Sequence, residues 1–313
     1  MIQRLDCPIC RRRAEPIFSR PYGHPQLQKF LKDFKRTDLL EDRPFEVRFC
    51  PACDLCFQTW VMDRDELDGW YSPPTSAEAF RGEIARQKLH WFAHMTEEIL
   101  VIRQLVRVKL PRVLDFGCNW GKWASMALAH GCDVYAVEVN RDAAAFCASR
   151  GINIIAFAQL PAHHFDFINV DQVAEHLADP MATIQSLASR LTPGGFLKLS
   201  TPGNRHLPRT LRQAQATGDD YVLTPRTLDS LAPLSHVNLF TAHSLQRLGC
   251  DAGLESFRAP FLAWLGAGQL WNQPRQFNHN LVVAWKRWLK RGTYQWFRKP
   301  AAQRSADTCK TLN

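Results

Sequence analysis

No run of 18 or more apolar residues occurs in the 313-residue chain, so no membrane-spanning helix is expected. The opening MIQRLDCPICRRR puts no apolar stretch behind its charges, so no secretory leader is expected and a cytoplasmic address is. Acidic residues are missing from residues 256–306, where nine Lys and Arg stand without a counter-charge. With those nine set aside, thirty basic side chains face thirty acidic ones, so the whole net charge of +9 belongs to that segment. A balanced remainder argues against a broad phosphate-binding surface, and a nucleic-acid partner is disfavoured. The share of hydrophobic residues, 46%, is enough for one large domain and a small one.

Ten cysteines in a chain without a leader read as metal ligands and buried thiols rather than disulfides. Cys7-Pro-Ile-Cys10 and Cys50-Pro-Ala-Cys53 form two CxxC turns, each able to aim two thiolates at one ion. Together they complete a closed tetrahedral Zn2+ site, structural because no position stays open. Cys56 follows at the same spacing and either competes as a ligand or packs. Cys118, Cys132, Cys147, Cys250 and Cys309 are scattered singly, as structural thiols are. Between the CxxC pairs, residues 26–40 predict a short amphipathic helix. Residues 61–76, with Asp-Gly and Ser-Pro-Pro, read as a linker. Trp91, Met95, Ile99, Ile102 and Val106 then recur at three or four residues, predicting a long helix that Pro111 ends.

The stretch RVLDFGCNWGKWASMALAHGCDVYAVEVN (112–140) predicts a strand into Asp115, a tight turn to Gly121, a helix to His130 and a second strand ending at Glu138. The turn lacks the G-x-G-x-x-G phosphate spacing, and Asp115 would repel a pyrophosphate while attracting an ammonium. An acid at the second strand tip can accept both hydroxyls of a ribose. A nucleoside carrying a cationic amino-acid tail fits these features better than NAD does.

VLDFGCNWG (113–121) resembles the first motif of class I S-adenosylmethionine-dependent methyltransferases, usually DxGxGxG, with Asn119 in place of the middle glycine. FDFINVDQVAEHLADP (165–180) resembles the fourth strand and following helix of the quinone-biosynthesis O-methyltransferase group. LTPGGFLKLSTPG (191–203) is similar to the fifth strand, SHVNLFTAHSLQRLGCDAGLE (235–255) to the approach to the sixth, and NLVVAWK (280–286) to the last strand. The resemblance implies an α/β Rossmann-like seven-stranded sheet carrying a small zinc-ribbon-like module. By the resemblance, Asp115, Gly117, Cys118, Asn119 and Gly121 would surround the methionine part of S-adenosylmethionine, and Glu138 the ribose. Asp171 and Gln172 would face the methionine and the acceptor. Ala156 stands where related enzymes often place an acid against the adenine amino group. Gln172, Glu175 and His176 stand where some relatives hold a divalent ion. The amide at 172 removes one charge, so a catalytic Mg2+ is disfavoured.

The implied organisation is a zinc module over 1–72, a linker and connecting helix over 73–110, a methyltransferase domain over 111–287 and a basic Trp-containing tail over 288–313. His176, at the start of the helix after the fourth strand, and His236 are the candidate general bases. The polar, turn-rich residues 204–234 are expected to cover a small-molecule, glycan-type or lipid-linked acceptor. Two competing readings stand beside this one. A nucleic-acid methyltransferase lacks support in Asn169-Val170-Asp171-Gln172, which is not the Asn/Asp-Pro-Pro-aromatic of amino-methylating enzymes. A non-catalytic adaptor could touch an anionic membrane at its inner face through the tail, where Trp285, Trp288, Trp296 and Phe297 sit among Lys and Arg.

Overall fold

A computed structural model of the chain describes residues 1–31, 43–63, 66–67, 77–87, 89–218, 223–267, 281–282, 285, 288–289 and 292–301. The chain divides into two compact units. One comprises residues 1–71, 172–184 and 200–252, the other 72–171, 185–199 and 253–313.

The second unit is built on a seven-stranded, mostly parallel sheet, as expected. In chain order its strands are β6 (Arg112–Phe116), β7 (Asp133–Val137), β8 (Asn153–Ile154), β9 (Phe165–Asp171), β10 (Leu191–Ser200), β12 (Glu255–Phe257) and β13 (Tyr294–Arg298). Their spatial order is β12-β13-β10-β9-β6-β7-β8. β6 pairs parallel with both β7 and β9, so its side chains after Arg112 are buried on both faces, which is why RVLDF reads as a nearly continuous apolar run. Helices α2 (Ala77–Arg86), α3 (Leu89–Leu105), α4 (Lys122–Ala129) and α5 (Arg141–Ser149) belong to this unit. Ile99, Ile102 and Val106 of the expected stripe are buried in its core with Met95 packed against them, while the side chain of Trp91 lies outside the described residues. Trp123 of α4 stacks on Phe167 of β9 at 5.8 Å, and Phe167 meets Trp296 of β13 at 5.2 Å.

The end of the chain departs from expectation. Leu281, Val282 and Trp285 are helical, and the last strand is β13, antiparallel to β12 and between it and β10. The segment expected to be a free tail from residue 288 therefore supplies an internal strand. Trp296 and Phe297 are buried in the core and are not available to a membrane. The apolar cluster at 281–285 drew the strand assignment, but Tyr294–Arg298 pairs its backbone in the sheet and buries its large side chains. Among the described residues, no helix is long and apolar enough to cross a membrane. Cys118, Cys132 and Cys147 are buried free thiols. Cys250 is disulfide-bonded, against the expectation of a free structural thiol. Cys309 lies outside the described residues.

The first unit holds the pair β1 (Ile2–Gln3) and β5 (Trp60–Val61), together with a four-stranded sheet. The latter runs β11-β4-β3-β2, from β2 (Glu15–Pro21), β3 (Pro44–Cys50), β4 (Leu55–Gln58) and β11 (Asn238–Leu239). β11 pairs antiparallel with β4, so part of the segment resembling the approach to the sixth strand completes this small sheet. The helix expected over 26–40 is α1 (Pro25–Leu31), and its remainder lies outside the described residues. The expected linker falls largely on residues 68–76, also outside them. The stretch 204–234, expected to be turn-rich, carries α7 (Leu207–Thr217) and α8 (Pro225–Ser230). Leu207, Leu211 and Ala214 at helical spacing join Phe18, Phe45, Val47 and Leu239 in one core. Cys56 is buried in that core, which settles its role as packing.

Arg4 is the buried cation of this unit. Its guanidinium donates to the carbonyls of Gln58, Val237 and Ala178 and to Asn238 Oδ1, while burial lowers its pKa to about 9. Asn238 donates in turn to the carbonyls of Ala174 and Leu177. Arg4→Ala would strand these acceptors away from water, and a loss of about 3 kcal/mol is expected in urea denaturation. Arg4→Lys should rescue it only in part, because an ammonium cannot span the same fork.

Candidate functional site

In the second unit, the carboxyl ends of β6, β7 and β9 gather the expected cofactor residues. Gly117, Asn119 and Gly121 all lie in the left-handed region, at φ 75°, 50° and 69°. Asparagine tolerates that region better than most residues, which accounts for position 119. Gly121 is sterically required, since a Cβ there would meet Cys147 Sγ at 2.7 Å and Ile152 Cδ1 at 3.2 Å. Cys118 and Cys147 lie with their sulfurs 3.9 Å apart, both within reach of the Asn119 carbonyl. Glu138, just past β7, accepts from the Asn119 backbone N–H at 2.6 Å and from that of Asn140 at 2.8 Å. The acid at one strand tip thus holds the turn at the other. Trp120 stacks on Phe80 of α2 at 5.6 Å and meets the edge of Phe146 of α5.

Asp115 is only 3% exposed. It accepts from Asn169 Nδ2 at 2.7 Å. Burial pushes its pKa up to about 7, against the opposing pull of Asn169, Lys198 and the Ala124 N–H. Asp171, at the end of β9 and 44% exposed, lies 3.7 Å from Lys198 Nζ. Lys198 itself is buried and reaches both oxygens of buried Glu98 at 2.9 and 3.1 Å. Neither Glu98 nor Lys198 was singled out in the sequence. The signal was present, as a lysine inside the apolar strand FLKLS and a glutamate on the flank of the α3 stripe. Two exposed apolar side chains, Val139 after β7 and Phe157 after β8, also escaped notice.

The first unit holds the other candidates. Gln172 adopts a left-handed backbone (φ 56°), and its amide donates to Ser200 Oγ at 3.2 Å. His176 lies in a single 3-10 turn, Ala174–His176, and the α-helix that follows, α6 (Pro180–Ser189), begins only at Pro180. The helix expected to start at His176 therefore begins later, and an irregular turn that opens on the left-handed Gln172 stands in its place. The two histidines are brought together, with ring centroids 4.8 Å apart. His176 Nδ1 faces the Ser235 carbonyl at 3.0 Å and His236 Nδ1 the Asp229 carbonyl at 2.6 Å. Burial, with His236 alongside, lowers the His176 pKa to about 4, so it is neutral near pH 7. A Glu175 oxygen lies 4.0 Å from His176 Nε2.

Cys7, Cys10, Cys50 and Cys53 converge, with all four sulfurs within 4.8 Å of one another. The residue after each CxxC turn, Arg11 and Asp54, is left-handed (φ 61° and 54°), so the two turns repeat one geometry. Cys7 is held down to about 5, chiefly by the hydrogen bond from Cys53 and then by the N–H groups of Cys10 and Ile9. Four converging thiols with no carboxylate among them form a donor set suited to tetrahedral zinc.

A family model described as a methyltransferase domain matches residues 84–257, more than half of the chain. The chain belongs to the class I S-adenosylmethionine-dependent methyltransferases. It is 30% identical over 155 residues to the ubiquinone biosynthesis O-methyltransferase of Psychrobacter arcticus, covering 45% of this chain and 58% of that protein. That match spans somewhat over half of the relative's length. Identity is also 30% over 206 residues with the protein of the same description from Psychrobacter cryohalolentis, covering 60% of this chain and 78% of that one. Among solved structures, the plantazolicin methyltransferase BamL, in complex with a triazolic analogue and SAH, superposes with TM-score 0.48 and 14% identity. That superposition covers 75% of this chain and 94% of the BamL chain.

Two outcomes are expected from the geometry of this site. Gly121→Ala should lower stability by about 2 kcal/mol in chemical denaturation, since it combines a positive φ with a clash against Cys147. The second concerns Asp115, whose folded pKa of about 7 lies above its ordinary value of 3.8. The folded state therefore binds the proton more tightly, and stability drains away as pH rises between those values. Asp115→Asn lacks that slope, so its melting temperature relative to wild type should climb from acid to neutral pH. A constant difference across that range would contradict the assignment.

Proposed function

We propose that the chain moves the methyl group of S-adenosylmethionine to an oxygen of a small-molecule, glycan-type or lipid-linked acceptor. The observation that carries this reading is the tie between Glu138 and the Asn119 N–H, set beside Asp115 and Asp171 at adjacent strand ends. Ligands of open α/β sheets bind outside those carboxyl ends. Asp115 and Asp171 supply negative charge for the methionine ammonium. Glu138, already fixed by two backbone donors, keeps acceptor capacity for the ribose hydroxyls. Gly117, Cys118, Asn119 and Gly121 shape the turn so that backbone approaches the ligand. Gln172 continues the chain beyond Asp171. No acid stands at Ala156, so adenine recognition is left to backbone groups and to the exposed apolar side chains of Val139 and Phe157.

When bound, the sulfonium supplies an electrophilic methyl. Transfer of that methyl to an acceptor hydroxyl would require the hydroxyl to shed a proton. His236 is the group proposed to take it; His176 beside it, its pKa lowered to about 4 by burial, is a weak proton acceptor. Cys7, Cys10, Cys50 and Cys53 would hold a structural Zn2+, which would tie the two CxxC turns together.

Calorimetric titration of the zinc-replete protein should show micromolar binding of S-adenosylmethionine and S-adenosylhomocysteine. Binding should weaken by about tenfold or more in Asp115→Ala and Glu138→Ala. Folded variants that bind normally would remove the site assignment. Metal analysis should return one zinc per chain, lost on joint replacement of Cys7 and Cys50.

A further inference from the structure

Glu98 collects three donors in the core of the second unit: Lys198 Nζ, the indole N–H of Trp123 at 2.7 Å, and the hydroxyl of Tyr294. They arrive from β10, α4 and β13. Tyr294 also lies under the Lys198 ammonium, 5.5 Å from ring centroid to nitrogen, and accepts from Trp296 Nε1 at 3.1 Å. Burial would strip the proton from Lys198, but Asp171, Glu98 and Asp115 together raise its pKa above the ordinary value. The lysine is therefore a fixed, dry cation. It faces the candidate cofactor site on one side, 3.7 Å from Asp171, and its neutralising partner on the other.

A structural ion pair needs only one carboxylate, and Glu98 already provides it. The same ammonium lowers the pKa of Asp115, which burial and the charge of Asp171 push up. The remaining groups around Asp115 are the Asn169 amide, the Ala124 N–H, the thiol pair Cys118 and Cys147, and Glu138, whose field reaches both thiols. On the far side of Tyr294, the ring of His94 approaches at 6.1 Å.

We infer that Lys198, locked in place by Glu98, is a positioning residue for the cofactor: it sets how much negative charge Asp115 and Asp171 present to the cofactor's ammonium group. The inference rests on the cofactor reading above. Removing the lysine takes away the cation that pairs with Glu98, lies 3.7 Å from Asp171 and acts on Asp115, so the carboxyls at the site protonate at higher pH. Removing the charge of Glu98 frees the lysine field for the other two acids, so they stay ionised to lower pH. The two changes act with opposite sign on the acid limb of cofactor binding.

The test is calorimetric titration of the zinc-replete 313-residue chain with S-adenosylhomocysteine from about pH 5 to about pH 8. It compares wild type, Lys198→Met, Glu98→Gln and the charge-preserving Lys198→Arg. Wild-type affinity should fall on the acid side. The midpoint of that fall should move up by about one pH unit in Lys198→Met and down in Glu98→Gln, and stay in place in Lys198→Arg. An S-adenosylhomocysteine analogue lacking the amino group should show no such displacement. A merely structural role weakens binding at every pH in both variants without moving the midpoint, and that result, or a shift of the same sign in both, would overturn the inference. If Lys198→Met does not fold, the downward shift in Glu98→Gln decides, and an unmoved midpoint there is again fatal. Absence of wild-type binding at every pH is a different failure, which removes the cofactor reading itself and the inference with it.

Discussion

A carboxylate taken out of water must be answered by donors, and Glu98 is answered by three that come from separate parts of the second unit. Its place on α3 fixes where β10 can present Lys198, where α4 can place Trp123, and where the late strand β13 can insert Tyr294. Such a buried pair contributes little net stability, because desolvation offsets much of the attraction. Its consequence is specificity of arrangement, since any packing that separates the partners leaves a bare charge in the core. Trp123 stands two residues after Gly121, so the same network fixes the helix that closes the glycine turn.

Asp115 shows the opposite arrangement. Its environment provides an amide and a backbone N–H but keeps it nearly dry, so its charge is costly in the absence of a cation. A group held in that condition is poorly suited to stabilising the fold and well suited to meeting an ammonium. Glu138, in contrast, is satisfied by two backbone donors and serves the turn whether or not a ligand is present. Two acids at neighbouring strand ends thus sit in opposite settings, one nearly dry and one held by two backbone donors.

The parts of this architecture that were legible in sequence are those encoded by contiguous pattern. Strand, left-handed turn, helix and strand over 112–140 can be read because each uses local chemistry, from the alternation of burial to the backbone freedom of glycine and asparagine. The paired Cys-Pro-x-Cys turns can be read for the same reason. What could not be read depends on distant partners. β13 was mistaken for tail because nothing in Tyr294–Arg298 announces that its place lies between β12 and β10. β11, two residues long, exists only because β4 offers it a ladder. Glu98 and Lys198 are 100 positions apart, and each by itself looks like an ordinary charged residue.

The same distinction explains how the cysteine turns and the histidine turn come to share the first unit. Arg4, three residues before Cys7, donates to Ala178 and Asn238, and Asn238 holds the carbonyls of Ala174 and Leu177 on either side of His176. The strand segment that carries Asn238 follows His236 by two residues. One buried guanidinium and one amide therefore fix both histidine-bearing segments against the strand that leads into the first CxxC turn. The thiol cluster and the imidazole pair are thus parts of one packing problem. Hydrogen bonds of Arg4 and Asn238 join the segment before the first CxxC turn to those that carry the histidines, a link that leaves no trace in residue spacing.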